Sequence, residues 1–273
     1  MALSFQDRIT LNNGVQMPQL GFGTYQIAPA DAPDAVAAAL EIGYRHLDCA
    51  AAYQNEEAVG AGIRKSGVDR SELFITSKVW VTDMGYEDTL KAFARTTGQL
   101  GTDYLDLYII HWPKPNSGEC FRALEQLYQD KKVRAIGVSN FKPHHFEMLA
   151  DCKITPVVNQ IEYHPILPQD ETQSYCESRG IVITAHSPFM EGRIRNLPLI
   201  GELAKKYGKT PAQIALRWIL QRGVIAIPKS ITPQRMKENT QLYDFQLSAA
   251  DMERIAALET GERSAPDPDN MPF

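Results

Sequence analysis

The chain has 273 residues, 44% of them apolar and 22% charged, with a net charge of −5. That composition suits a globular fold with one large core, and it excludes a chain too polar to bury one. Lysines and arginines are scattered among acids without a basic run, which argues against a nucleic-acid footprint or a polybasic membrane patch and leaves small molecules as the expected partners.

No charged-then-apolar leader opens the chain, and no apolar run nears the ~18 residues of a membrane span. Cys49, Cys120, Cys152 and Cys176 show no C-x-x-C spacing. They read as reduced thiols, so a cytoplasmic location is expected.

Residues 8–18 read as a hairpin, with strands over 9–11 and 15–17 about Asn12-Asn13-Gly14, placed to plug one end of the core. A short strand over 20–24 follows, then a helical run with Val36, Leu40 and Gly43 on one face. The next strand ends in Asp48 and leads through a turn carrying Tyr53 to a helix through Val59 and Ile63. A strand over 73–78 closes on Lys78 before a helix with Leu90, Phe93, Thr97 and Leu100; a strand over 104–111 closes on His111 before one with Phe121, Leu124 and Tyr128.

The alternation continues. Strands over 133–138 and 157–161 precede helices through Phe146 and Leu149 and through Tyr175. A strand over 180–185 precedes two helical runs, 199–207 and Pro211–Gln221, the second opened by Thr210 as N-cap with Pro211 at the first helical position. An eighth strand over 224–228 precedes helices through Met236 and through Met252 and Ile255.

Strand ends fall at Asp48, Lys78, His111 and Ser139, intervals of 30, 33 and 28 residues. A βα unit of roughly 30 residues repeated eight times predicts a single-domain α/β fold over residues 1–273, a (β/α)8 TIM barrel with an N-terminal hairpin and extra helices near the C-terminus. A doubly wound sheet would want G-x-G-x-x-G after its first strand, and Gly21-Phe22-Gly23-Thr24-Tyr25-Gln26 lacks the third glycine.

In a barrel, chemistry gathers at the strand C-termini, where Asp48, Lys78 and His111 fall. A phenol with its free pKa of ~10 is a reluctant acid. An ammonium about 4 Å from Tyr53 would favour the phenolate by up to about 4 kcal/mol, near 3 pKa units. Asp48 would hold Lys78 charged, and His111 could donate a hydrogen bond to a substrate oxygen. Taken singly, Asp48 and Lys78 read as a structural ion pair, Tyr53 as a half-buried aromatic and His111 as a core histidine. Together at strand ends they read as a site. His46 reads as support beneath Asp48, Asp106 as paired within the fold, His144 and His145 as surface residues, and His164 as a loop residue.

The segments 43–53 (Gly-Tyr-Arg-His-Leu-Asp-Cys-Ala-Ala-Ala-Tyr), 109–113 (Ile-Ile-His-Trp-Pro), 135–141 (Ala-Ile-Gly-Val-Ser-Asn-Phe), 159–165 (Asn-Gln-Ile-Glu-Tyr-His-Pro) and 227–230 (Ile-Pro-Lys-Ser) resemble the signature segments of the aldo-keto reductases, in order and over nearly the whole chain. The resemblance implies NADPH-dependent reduction of aldehydes or ketones by direct hydride transfer, with no metal and no flavin. Tyr53 is then the general acid and Asp48, Lys78 and His111 its partners. Ser139, Asn140 and Gln160 would meet the nicotinamide carboxamide; Lys229, Ser230 and Arg235 the adenosine 2′-phosphate; Glu238 and Asn239 the adenine. Gly23, Thr24, Asp48 and Ile231 are placed against the same cofactor.

Two cations facing a phosphate argue for NADPH over NADH, and cations at a helix N-terminus want an anion nearby. Residues 187–193 (Ser-Pro-Phe-Met-Glu-Gly-Arg) resemble the bacterial branch that includes 2,5-diketo-gluconate reductases, where this segment packs over the pyrophosphate. Ser187, Phe189, Met190, Glu191 and Gly192 are its expected contacts. His186 stands where family members carry a tyrosine or tryptophan against the nicotinamide, and an imidazole offers less area for stacking. Phe22, Tyr25, Trp80 and Trp112, with His111, are expected to wall the substrate pocket.

The loop between Pro113 and the helix at Cys120 is brief and the tail after Arg263 is short and proline-rich (Pro266, Pro268, Pro272), so less should cover the mouth than in the family's larger members. Small or polar carbonyls are the expected substrates, and the family resemblance favours a monomer. Two other readings compete: a metal-dependent barrel hydrolase, whose cluster His46, Asp48, Lys78 and His111 superficially imitate, disfavoured by Lys229 at the eighth strand end, and a nicotinamide-binding regulatory subunit, which would tolerate a damaged tetrad.

Overall fold

The computed structural model describes residues 4–271. Pro272 of the proline-rich tail lies outside them. A two-stranded hairpin, β1 (Arg8–Thr10) and β2 (Gln16–Pro18), precedes eight parallel strands: β3 (Phe22–Gly23), β4 (His46–Asp48), β5 (Phe74–Val79), β6 (Leu107–Ile110), β7 (Ile136–Ser139), β8 (Val158–Glu162), β9 (Val182–His186) and β10 (Ile225–Ala226). Their order in space is their order in sequence, as a barrel of right-handed βα units requires. The first and last strands meet through a parallel bridge between Leu20 and Ala226. Gly21 N donates to Ala226 O at 2.8 Å and Gly23 N to Pro228 O at 3.1 Å.

Helices α1 (Ala32–Ile42), α2 (Glu56–Ser66), α3 (Tyr86–Leu100), α4 (Ser117–Gln129), α5 (Asp170–Glu177), α6 (Pro198–Tyr207), α7 (Pro211–Gln221), α8 (Pro233–Glu238) and α9 (Ala249–Ala256) surround the strands. Gly43 is not part of the apolar face of α1: it ends that helix in a left-handed conformation, φ 113°, that glycine adopts without strain. Thr210 caps α7 reciprocally with Gln213. Between β7 and β8 the expected helix is instead a 3₁₀ run, Pro143–Leu149, closed by i→i+3 bonds such as His145 N to Lys142 O at 2.9 Å. His145 is buried there and not on the surface, because its Nδ1 accepts from Lys142 N at 3.0 Å.

One hydrophobic cluster lies between strands and helices, and a second fills the barrel floor. Leu11 and Met17 of the hairpin enter that floor with Phe74, Leu107, Ile109, Val157 and Ile225, so the hairpin plugs one end. Burying each of those two side chains is worth roughly 1.5–3 kcal/mol. Asn12 and Asn13 clip the hairpin tip to the carbonyls of Pro156 and Arg134 at 3.1 and 3.0 Å. Asp106 is satisfied at this end of the barrel by Arg70, Arg134 and the amide of Ile75, all within 2.9 Å. No helix among the described residues is long and apolar enough to cross a membrane.

Candidate active site

The parallel register sets Gly23 beside Asp48 and Ser139 beside Gln160, so the strand C-termini open on one mouth. Asp48 and Lys78 lie almost fully buried there, on β4 and β5. The 3₁₀ turn Ala51–Tyr53 returns the phenol over them, with Gln54 in a left-handed conformation at its end.

The Lys78 ammonium spends its three N–H bonds inside this cluster: on Asp48 Oδ2 at 2.7 Å, on the Cys49 carbonyl at 2.8 Å and on Tyr53 Oη at 3.0 Å. Asp48 Oδ1 accepts from Gln160 Nε2 at 2.7 Å. Tyr53 Oη therefore accepts from lysine, and its own hydrogen is left to point into the cavity. The ammonium also fills the place beside Asp48 that a metal would need, which counts against the hydrolase reading.

Burial dominates the protonation of this cluster. It pushes the Tyr53 phenol up to about 12, with Lys78 pulling the other way. The expectation from sequence had the sign of the lysine's effect right and omitted the larger desolvation. The phenol is thus protonated at neutral pH. Burial lowers the Lys78 pKa, but Asp48 and Tyr53 outweigh it and the ammonium is held above its ordinary value. His111 is driven well below its ordinary value by burial and by Lys78, so it is a neutral imidazole. Its ring lies 5.7 Å from Tyr53 and 5.2 Å from Trp80, and its buried Nδ1 has no partner among the described residues.

Beneath the cluster, His46 is buried, bonded to Thr76 Oγ1 at 3.2 Å, and lowered to about 4 by burial. A Cβ on Gly21 would lie 2.4 Å from its ring, so only glycine fits opposite it.

A cavity of about 1160 Å³ runs from this cluster across the mouth. Tyr25, Trp80, His111 and Trp112 line it, and the Tyr25 ring lies 5.1 Å from Tyr53. Phe22 does not: it is buried against Tyr44, because its position on β3 points it to the helices.

Of the residues expected at the cofactor, Gly23, Asp48, Asn140, Gln160, His186, Ser187, Phe189, Glu191, Gly192, Lys229, Ser230, Ile231, Arg235, Glu238 and Asn239 line the same cavity. Thr24, Ser139 and Met190 lie behind the wall. Thr24 is a prop, its Oγ1 donating to the Asp48 carbonyl at 2.8 Å. Ser139 Oγ donates to the Gln160 carbonyl at 2.7 Å and accepts from Asn140 Nδ2. Met190 is buried in the core.

His186 Nε2 lies 2.9 Å from Asn140 Oδ1 and its Nδ1 lies 3.1 Å from Ser187 Oγ. An amide oxygen only accepts, so Nε2 carries the proton and Nδ1 takes one from Ser187. Burial lowers this imidazole to about 4, which keeps it neutral. Asn140 Nδ2 donates in turn to the His111 carbonyl at 3.0 Å, joining the end of β9 to the end of β6.

At the far end of the cavity, Lys229 and Arg235 make no ion pair among the described residues. Arg235 is the third residue of α8, which has six residues and hence a weak dipole. The stronger argument for an anion is two cations on one wall that make no ion pair among the described residues. Between the two ends, Ser187, Met190 and Glu191 hold φ of 53°, 52° and 55°. Each left-handed residue costs roughly 1–2 kcal/mol, offset here by burial of Met190 and Ile194 inside the loop. The loop backbone is thereby laid along the cavity.

Sequence reasoning missed several lining residues. Gln26, Gln54 and Asp83 fall just beyond β3, β4 and β5, and the rule that βα loops build a barrel's site could have found them. Arg195, the Thr210–Ala212 stretch and the tail residues Ser264, Ala265 and Pro266 carry no local signal. The tail folds back and supplies a wall through these three residues.

A model of the aldo/keto reductase family matches residues 19–260. The chain belongs to the aldo/keto reductase family. It is 50% identical to glyoxal reductase of Bacillus subtilis (strain 168) over 276 residues, covering 100% of both chains. It is 41% identical to methylglyoxal reductase DkgA of Escherichia coli (strain K12) over 269 residues, 96% of this chain and 97% of that one. The crystal structure of MGS-M4, an aldo-keto reductase enzyme from a Medee basin deep-sea metagenome library, superposes with a TM-score of 0.94 at 44% identity, over 97% of this chain and 100% of the other. Membership makes the chain an oxidoreductase that reduces carbonyl compounds with a nicotinamide cofactor.

Proposed function

We propose that the chain is an NADPH-dependent reductase of small or polar aldehydes and ketones, dicarbonyls foremost, with Tyr53 as general acid and Asp48, Lys78 and His111 as its partners. The observation that supports this most directly is the Lys78 ammonium, whose three bonds fall on Asp48, Cys49 and Tyr53 and so leave the phenol hydrogen as the donor facing the cavity.

Bound at this site, the nicotinamide supplies a hydride to the carbonyl carbon. Tyr53 gives its proton to the carbonyl oxygen, and Lys78 stabilises the phenolate that forms. Asp48 keeps the ammonium charged and fixed. Neutral His111 donates to the same oxygen and orients the carbonyl. Gln160, with its amide nitrogen committed to Asp48, offers its Oε1 to the carboxamide, and Asn140 stands beside it.

Lys229, Ser230 and Arg235 would hold the 2′-phosphate, Glu238 and Asn239 would meet the adenine, and residues 187–192 would meet the pyrophosphate. Two cations that make no ion pair among the described residues suit that phosphate, and the cavity exceeds the roughly 300–1,000 Å³ of ordinary small-ligand sites. The names of the two relatives, a glyoxal and a methylglyoxal reductase, support short dicarbonyls. Four free cysteines, three of them buried, suit a reducing cytoplasm, and the site needs no second copy, so a monomer is assigned.

The test is NADPH absorbance against short dicarbonyls, simple aldehydes, keto-sugars and bulky steroid ketones, with and without a chelator. The reading expects turnover of the first groups, indifferent to chelation. Steep preference for steroid ketones, or loss of activity on chelation, would overturn it.

A further inference from the structure

Glu162 ends β8 with its carboxylate 1% exposed, directly opposite His186 in the register of β8 with β9. It holds no cation at close range; Arg263 stands 3.9 Å away. Instead Oε1 accepts from Ser264 N at 2.6 Å, from Ser264 Oγ at 2.5 Å and from His164 Nε2 at 2.8 Å, and Oε2 accepts from Ala265 N at 3.2 Å. Burial alone would push this carboxyl up, but these donors outweigh it and hold it at about 2. Two of the four donors are main-chain amides of the C-terminal tail, a hundred residues away in sequence.

The residues those amides belong to are cavity residues: Ser264, Ala265 and Pro266 form one wall. Apolar burial cannot hold that wall, since Pro268 is the one buried residue among the described residues from Glu262 onward. Polar contacts must do it. At its start Glu262 bonds Arg193 of the loop beside the cavity. Farther on, Lys142 Nζ donates to Asp267 at 2.7 Å and Asp269 at 2.5 Å, and the Nε2 atoms of His144 and His145 lie 2.8 and 3.1 Å from Asp269. Those outer contacts end on half-exposed carboxylates, Asp267 at 39% and Asp269 at 37%, where solvent weakens an ion pair. Glu162 is the inner anchor, a carboxylate almost wholly out of reach of water.

An anchor that grips main-chain N–H groups fixes the path of a segment while leaving its side chains free to face the cavity. We propose that Glu162 is a specificity-determining positioning residue, holding residues 263–266 as a wall of the substrate cavity without taking part in the chemistry. This rests on the carbonyl-reductase reading for its effect on substrate, but not for its effect on the tail.

The experiment compares the full chain with Glu162→Gln, Ser264→Ala and a chain ending at Glu262. Amide hydrogen exchange over 263–270 should speed up about tenfold or more in Glu162→Gln and by a smaller factor in Ser264→Ala, as expected for losing charge-assisted hydrogen bonds. KM for a short dicarbonyl should rise about fivefold or more in Glu162→Gln with kcat within about twofold, and the shortened chain should reproduce that KM. Introduced into the shortened chain, Glu162→Gln should add nothing.

Unchanged exchange in the tail of both point variants would overturn the proposal. So would a Glu162→Gln effect on KM that persists at full size without the tail. Should Glu162→Gln fail to fold, Ser264→Ala and the shortened chain carry the same contrast. If no carbonyl is turned over by any form, the exchange result still decides the anchoring, so the two failures are told apart.

Discussion

The two ends of the cavity are built on opposite principles. At the reacting end every charge has an internal partner: Lys78 is spent on Asp48, Cys49 and Tyr53, and Asp48 on Lys78 and Gln160. At the far end, Lys229 and Arg235 line the wall and make no ion pair among the described residues. A group that must pass a proton gains from being oriented before substrate arrives, because no reorganisation is then left for the reaction itself. A group that must hold a ligand gains from being unpaired, since pairing would have to be broken first. The difference teaches that rigidity sits where bonds change and vacancy of charge where affinity is made.

Removing the ammonium should do the most damage. Lys78→Met is expected to cut kcat about a thousandfold or more, the scale of a lost general acid, and to cost about 3–5 kcal/mol of stability by stranding Asp48 in the barrel. Steady-state rates and urea midpoints check both. Near-normal turnover would mean that the paired end is structural only.

Acid should come next, again through the reacting end. His46 falls to about 4 in the folded chain, from an ordinary 6.5, because it is buried. The unfolded chain therefore takes up the proton first, so the stability is whole above about pH 6.5 and drains away as pH falls toward 4, by roughly 3 kcal/mol. Urea midpoints across that window should show the slope, and His46→Gln should remove one histidine's share of it, His111 and His186 being lowered by burial as well. A slope unchanged by the substitution would place the acid sensitivity elsewhere.

The smallest effect belongs to the unpaired end. Arg235→Leu should raise the Kd for NADPH by about ten- to a hundredfold, the value of one or two charge-assisted hydrogen bonds, while leaving NADH within about twofold. Fluorescence titration with both cofactors measures it. Equal weakening of the two would move the phosphate away from Arg235.

Much of the barrel could be read in advance because its signal is local. Apolar runs closing on Asp48, Lys78 and His111 at intervals near 30 residues put three polar side chains on one rim, and the structure brings them together with Tyr53. Turn residues Asn12-Asn13-Gly14 also marked the hairpin plug, and the structure turns its Leu11 and Met17 into the floor. What could not be read depends on partners far along the chain. Phe22 looked like a pocket wall because it sits at a strand end, yet the pleat turns it to Tyr44. The tail gave no local signal of its place, since the carboxylate that grips its main-chain amides, Glu162, lies a hundred residues away. Desolvation was invisible too: the coulombic pull of Lys78 on Tyr53 follows from residue types, but the larger effect of burial needs the surrounding volume.

The central claim is that Tyr53 donates the proton while its neighbours only prepare it. The direct measurement is Tyr53→Phe, with kcat for a short dicarbonyl and the Kd for NADPH determined on the same preparation. The account predicts a loss of at least about a hundredfold in kcat, the lower scale of general-acid catalysis, with Kd within about twofold. A variant that still reduces the dicarbonyl at a near-normal rate would contradict it.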